Sequence, residues 1–301
     1  LRGKSKPKGW GSVLNISPPL VDSAKLIYQL NDGAINGVSA VYDRGVALVA
    51  GSAYSSLSDL QTTAPSAGQY RVYAAGGYVR LGSTPSGTVT CDATLDASGA
   101  GYISAVSDIV LRILVTQCGL YSSEIDPASF VNLKTVQSAA VGIWANAGLV
   151  SAAQIIEQLL AGVGAFGGFS RQGAFSVGRI DLPASVGARA FDETVVTRVS
   201  REPLPDAVDP MVWQVRVAYQ RNYTIQNDLA ASVPAARRTF AAEAERESTI
   251  TDAGVQSRRL LSKVYRSGDG LFANEADAVT EKIRLLTLWG GTEARTPFRV
   301  T

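Results

Sequence analysis

The residues that could do chemistry in this chain are few, and most are acidic. Glu124 and Asp126 sit close together, and Asp181, Asp192, Glu193, Asp206 and Asp209 follow. Two carboxylates flanking a glycosidic bond can serve as acid and base or nucleophile. The spacing here places no two of them on one recognisable element, so they are expected to be solvated caps near turns. No run of regularly spaced oxygen ligands suggests a Ca²⁺ loop. The chain contains no histidine, which removes Ser-His-Asp and Cys-His mechanisms and the commonest metal ligand. With only Cys91 and Cys118 besides, an ordinary zinc site lacks soft ligands. We therefore expect no catalytic, cofactor-binding or metal-binding residues.

One motif matches a nucleotide-binding pattern letter for letter. Gly162-Val163-Gly164-Ala165-Phe166-Gly167 reads G-x-G-x-x-G. A dinucleotide fingerprint needs a strand before the glycines and a helix after them. Here the helical pattern SAAQIIEQLLAG precedes and a strand pattern follows. The expectation is a helix end running into a tight turn.

Composition narrows the class. The 301 residues suffice for two or three domains at ~100–150 residues each. Charged residues make up 18%, below the usual ~25%, and the 29 glycines favour close packing, so the chain reads as globular and β-rich. A net charge of +2 gives no overall nucleic-acid footprint. Arg2, Lys4, Lys6 and Lys8 form a local basic arm, read as a solvated arm, with phosphate binding as the alternative. The two cysteines read as small buried apolar residues; a single bridge between them is left open. No run reaches the ~18–20 apolar residues of a membrane span. The chain opens without Met, and Phe298 to Thr301 reads as a strand in progress, so more protein is expected beyond it.

The elements follow from periodicity. Residues 1–95 read as a β-meander. Leu26, Tyr28 and Leu30 alternate on one strand, Asn31-Asp32-Gly33 turns, and Ile35 to Tyr42 returns. Asp43-Arg44-Gly45 leads into a third strand, Val46 to Val49. A helical turn is expected around Leu57 and Leu60. Strands at Tyr70 to Ala74 and Tyr78 to Leu81 follow, and Thr88 to Ala93 completes a hairpin after Thr84-Pro85-Ser86-Gly87. Val106, Ile109, Val110, Ile113 and Leu114 lie on one helical stripe. LYSSEIDPASF reads as an acidic, proline-broken loop. Ser151 with Gln154 opens a second helix as a capping box, with Ile155, Ile156, Leu159 and Leu160 inward. Both helices should pack on a sheet containing Val141 to Ala145 and Phe175 to Ile180.

Beyond Pro183, Glu193 to Ser200 reads as a strand. Met211 to Tyr219 is the cleanest strand pattern, with Gln214 and Arg216 on its wet face. Residues 235 to 266 fit helix or strand equally. Asn274 can cap a helix to Trp289 that buries Ala276, Val279, Ile283 and Leu286, and Arg295 to Thr301 returns as a strand. Trp10, Trp144, Trp213 and Trp289 are spread singly and read as core or edge anchors. Three segments result: a β-rich module at 1–98, an α+β segment at 99–187, and strands with a packing helix at 188–301. The fold class is mainly β with α+β.

Several stretches resemble the central tail-tip or baseplate hub proteins of long-tailed bacteriophages. GKSKPKGWGSVLNISPPLVDSAKLIYQLNDGAINGVSAVYDRGVAL resembles their opening module, and GGYVRLGSTPSGTVTCD the hairpin after it. EIDPASF, IIEQLLAGVGA and FSRQGAFSVGRI resemble the hub segment. VRVAYQRNYTIQNDLAA and ANEADAVTEKIRLLTLWGG resemble the later barrel strand and its helix. The resemblance covers most of the chain as a pattern of turns and packing positions. It implies tail-tube-like β-barrels and a homotrimeric ring under the tail tube. It also implies tail-tube, distal tail and spike or fibre proteins as partners, with DNA only passing through the lumen. The implied location is the virion tail tip, after assembly in the host cytoplasm, with no stable membrane insertion. The rival expectations are a receptor-binding adhesin module and a tail-associated wall hydrolase.

Overall fold

The computed structural model describes residues 5–146, 150–181 and 211–290, together with the backbone of strands 199–201 and 298–300. It is mainly β with α+β elements, the expected class.

The amino-terminal strands form two five-stranded sheets around one core. The first is ordered β10-β1-β9-β4-β5 and the second β2-β3-β8-β7-β6. Their strands are β1 (Lys8–Ile16), β2 (Leu20–Asp22), β3 (Ile27–Gln29), β4 (Gly37–Asp43), β5 (Val46–Ala47), β6 (Val49–Ala50), β7 (Gln69–Tyr73), β8 (Tyr78–Leu81), β9 (Val89–Leu95) and β10 (Gly142–Ala145). Val13, Ile16, Val41, Cys91 and Leu95 from the first sheet meet Tyr28, Tyr70, Val79 and Leu81 from the second in one buried cluster.

The expected strands are present, but they are not a meander. β3 pairs with β2 and β8, whereas β4 pairs with β5 and β9. The Asn31-Asp32-Gly33 turn therefore carries the chain from one sheet to the other. It is fixed from both sides. The buried Asn31 side chain accepts a hydrogen bond from the Gly9 amide of β1 at 3.0 Å. The Leu30 and Ile35 amides bond the carbonyls of Gly77 and Ala74. β8 and β9 likewise belong to different sheets and make no hairpin. The single strand expected at Val46 to Val49 is two pieces, one in each sheet, with Leu48 between them packing on the core. The alternation expected at Leu26, Tyr28 and Leu30 is present, with Leu26 partly buried against the same core, and β3 is covered on both faces. Tyr28 and Leu30 enter the inter-sheet core, while Ile27 packs under α1 (Leu57–Thr62) with Tyr54 and Leu60.

The second body is built from helices and a smaller sheet. α2 (Val106–Thr116) buries the five residues expected of it. α3 (Pro127–Val136) occupies the stretch read as a loop: Asp126 accepts from the Ala128 amide at 3.2 Å, and Pro127 takes the first turn. Proline fits there because that position has no amide partner to lose. α4 (Ala152–Gly162) opens on the expected Ser151–Gln154 capping box and buries the expected face. β11 (Ala165–Phe169) and β12 (Phe175–Arg179) form a hairpin. The helices do not rest on a sheet shared by β10 and β12. β10 has joined the amino-terminal sheet beside β1, β12 pairs with β11, and α2 lies on α3 and α4.

β13 (Val199–Arg201) appears later in the chain. β14 (Val212–Tyr219) is the centre of a three-stranded sheet, antiparallel to β15 (Arg246–Thr251) and parallel to β16 (Lys263–Phe272). Val215, Val217 and Tyr219 are buried and Arg216 is exposed, as expected, but Val212 is buried where Met211 and Trp213 had been placed inward. Residues 235–266 resolve into both alternatives: α5 (Ala235–Ala242) and α6 (Ala253–Arg258) alternate with β15 and the start of β16. α7 (Glu275–Trp289) packs on β14 and β15, while α4 packs on β16. Strand β17 (Phe298–Val300) pairs antiparallel with β13. The strand expected at Glu193 to Ser200 otherwise lies outside the described residues, as do Pro183 to Gly187.

α7 buries Ala278, Glu281, Leu285 and Leu288, not the stripe expected from Ala276, Val279, Ile283 and Leu286. Glu281 is the reason. Its carboxylate is buried against Arg284 and lies 4.0 Å from Arg179 of β12. Turning a charged residue inward rotates the buried face away from Ile283, which is half exposed.

Asp96 gives a pH prediction. It is buried after β9, bonded by Lys8 of β1 at 3.0 Å and Arg112 of α2 at 2.8 Å. Burial opposes its charge, but the hydrogen bonds from Arg112 and Lys8 outweigh that and hold the carboxyl below its usual range. Its stabilisation is therefore present above the unfolded value of ~3.9 and is lost as pH falls through the lowered folded value. Asp96→Asn should lower unfolding stability by about 2 kcal/mol at neutral pH. The gap to the parent should narrow as denaturation is repeated in more acidic buffer; a gap that does not change with pH would refute this role.

Candidate interaction surfaces

The carboxylates weighed as a catalytic pair have other work. Glu124 accepts from the Tyr121 amide at 2.8 Å, and Asp126 caps α3. Asp181 is bonded by Arg179 at 2.9 Å and Arg284 at 3.0 Å. Asp192, Glu193, Asp206 and Asp209 lie outside the described residues. The glycine motif follows a helix and enters a strand, since α4 ends at Gly162 and β11 begins at Ala165. That is the inverse of a pyrophosphate cradle. Among the described residues, no group of three or more His, Cys, Asp or Glu is placed to hold a metal ion. No helix among them is long and apolar enough to cross a membrane.

Both cysteines are free. Cys91 is buried in the inter-sheet core, and burial pushes its thiol well above the ordinary range. Cys118 is exposed, contrary to expectation, because α2 ends just before it. In the basic arm, Lys6 pairs with Asp32 and Lys8 with Asp96, each at 3.0 Å. Those two cations are satisfied within the chain, and Arg2 and Lys4 lie outside the described residues. Trp10 and Trp144 are buried anchors. The Trp144 indole donates to the Leu30 carbonyl at 2.9 Å, and its ring meets Tyr223 edge-on at 6.0 Å.

The surface feature that the sequence did not disclose is an apolar cleft of about 560 Å³. α4 supplies Ile156 and Leu160, α2 supplies Leu114, and the hairpin supplies Phe166, Phe169 and Phe175. Phe169 stacks edge-on against Phe175 at 5.2 Å yet stays 64% exposed, and Phe166 is 57% exposed. Among the described residues, Glu157 is the single charged one in the lining, which also includes Cys118. Among the described residues, the lining brings one carboxylate to a mostly apolar surface. It can bury apolar side chains and prefer a cation beside them. The sequence carried one signal for it. Ala-Phe-Gly-Gly-Phe is a strand whose glycines bring no side chains to cover its own aromatics.

No family model matches this chain, and no curated protein matches its sequence. Among solved structures, a chain of the "Virion of native gene transfer agent (GTA) particle" shares the fold. The superposition has a TM-score of 0.51 at 14% identity and covers 95% of this chain and 72% of that chain. The likeness is one of fold and runs through both bodies.

Proposed function

We propose that the chain is a structural component of a phage-like particle, acting as a tail-tip or baseplate hub. One observation carries this reading: the fold of nearly the whole chain follows a chain of a gene transfer agent virion. The tail-hub motifs quoted from the sequence agree with it. In this role, three copies form a ring beneath the tail tube, with residues 1–98, 99–187 and 188–301 as amino-terminal module, hub segment and tail-tube-like barrel portion. Its partners are tail-tube, distal tail and spike or fibre proteins, and DNA only crosses the lumen. It works in the virion, after assembly in the host cytoplasm, without making or breaking bonds. Sheet edges and apolar clefts suit such a role because neighbours can cover them.

Deleting the gene should give particles that lack a working tail tip and lose delivery of their DNA. The tagged chain should purify with intact particles at a few copies each. Complete, fully competent particles without the chain would end this reading. A receptor-binding module is the second reading, favoured by the exposed Phe166 and Phe169. It requires the isolated protein to bind host cells, and that binding to fall when either ring is removed.

A further inference from the structure

We propose that the cleft beneath Phe166 and Phe169 receives the Arg259-Leu260-Leu261 tip of a second copy of this chain, in a head-to-tail contact. The inference rests on the reading that copies of the chain assemble with one another, and it names the two surfaces that meet.

The tip is the turn between α6 and β16. Leu260 is 95% exposed and Leu261 81% exposed, the two barest large apolar side chains among the described residues. Among the described residues, these adjacent leucines are left almost wholly uncovered. Arg258 folds back to the Gly254 carbonyl at 2.9 Å, and Arg259 is exposed beside the leucines. The tip thus presents two aliphatic groups with a cation next to them. The cleft offers the complement: an apolar lining with Glu157 as its one charge among the described residues.

Within one copy the tip does not fill the cleft, since both leucines stand almost bare. α4 meets β16 near its far end, where Gln158 donates to Asp269 at 2.9 Å. The tip lies before the first residue of that strand. The regularly paired part of β16, Lys263 to Ser267, is roughly 13 Å long at ~3.3 Å per residue, and the strand bulges at Gly268 before it reaches Asp269. Tip and cleft therefore sit at opposite ends of β16. Pairing two different surfaces of identical chains is heterologous, so it propagates and then closes into a ring if the rotation allows.

Sedimentation velocity on the 301-residue chain tests this. The parent should associate with rising concentration. Leu260→Asp/Leu261→Asp should weaken association at least about 30-fold, as expected for central apolar anchors. The leucines are nearly bare, so folding should be unchanged, and circular dichroism checks this. Phe169→Asp should weaken association similarly from the other side. Mixing the two variants should give a 1:1 dimer that grows no further, because only one working tip and one working cleft remain. Glu157→Arg should weaken association, and mixing it with Arg259→Glu should restore association that keeps growing, because the tip of each variant then matches the cleft of the other. A parent that stays monomeric at roughly 100 µM, an oligomer indifferent to the leucine changes, or a mixture that forms no dimer would overturn the contact. Incorporation of the parent chain into particles is measured separately. An incorporated chain whose association ignores tip and cleft would refute the contact while leaving the hub role standing.

Discussion

Gly142→Ala should be among the most damaging single substitutions in this chain, costing about 4 kcal/mol or more of unfolding stability. Gly142 of β10 lies opposite Gly11 of β1. A β-carbon at 142 would sit 1.8 Å from the Ser12 carbonyl oxygen and 2.4 Å from its carbonyl carbon. Both are backbone atoms, so no rotamer change relieves the clash. Nor can β10 retreat. The Val141 amide bonds Ser104, the Ala273 amide bonds Ala140, and Val141 bridges Phe272 of β16. On the other flank, Trp144 is held by Leu30 and Tyr223. β10 is pinned between the two bodies, and a methyl group at 142 must push them apart. Gly37→Ala is the control, because its β-carbon would meet only Thr94 at an ordinary 3.8 Å. That change should fall within about 1 kcal/mol of the parent. Urea unfolding of both variants decides the matter; equal midpoints would refute the pinning.

What the sequence disclosed, and what it hid, follows one physical line. The faces of α2 and α4 were legible because their burial is almost wholly apolar, Ser107 aside, and their spacing repeats at helical period. The face of α7 was hidden because Glu281, a charged residue, points inward toward Arg179 and Arg284. Periodicity of apolar residues cannot report a buried carboxylate whose partners lie on another element. α3 was hidden by Pro127, which reads as a breaker unless Asp126 before it is recognised as a cap. The strands of the amino-terminal body were legible, but their partners were not. Turns at Asn31-Asp32-Gly33 and Thr84-Pro85-Ser86-Gly87 look like hairpin turns, yet both carry the chain between sheets. Local turn chemistry fixes a reversal of direction; hydrogen bonds such as Gly9 to Asn31 decide which sheet receives the next strand.

The candidate surface was less legible than the fold. Phe166 fell inside, and Phe169 just beyond, a glycine motif that drew attention to phosphate chemistry. Leu260 and Leu261 fell inside a segment whose secondary structure the pattern left open. Exposure decides their meaning, and exposure of a leucine in a turn is set by which elements surround it. The resemblance to tail hubs was read from packing positions with no chemical signature.

The second large effect is expected at the joint between the two bodies. Asn222→Ala should cost about 3 kcal/mol or more. Asn222 follows β14 and is buried. Its amide donates to the carbonyls of Phe240, Ala241 and Glu243 at 2.8–3.2 Å. Its oxygen accepts from the Asn15 side chain at 2.7 Å and the Thr224 amide at 3.0 Å. Asn15, fully buried in β1, accepts in turn from Arg237 of α5 at 2.6 Å, and its backbone N–H donates to Asp92 at 2.7 Å. The Arg237 guanidinium lies 3.8 Å from the Tyr42 ring centre, and Tyr42 donates to Asp92 at 3.0 Å. Burial, then the Asp92 charge, pushes the Tyr42 hydroxyl up to about 12, so it remains a donor through the ordinary pH range. Three links, Asn15 to Asn222, Arg237 to Asn15 and Arg237 to Tyr42, cross between the amino-terminal sheets and the segment after β14, and the others hold those side chains in place. Removing Asn222 strands several buried groups together, where each unmet partner costs about 1–3 kcal/mol. If these residues act as one unit, Asn222→Ala and Arg237→Ala should not add. The double variant should lose less than the sum of the singles by at least about 1 kcal/mol. Strict additivity would mean that the two side chains stabilise separate neighbourhoods, and the polar joint between the bodies would have to be abandoned.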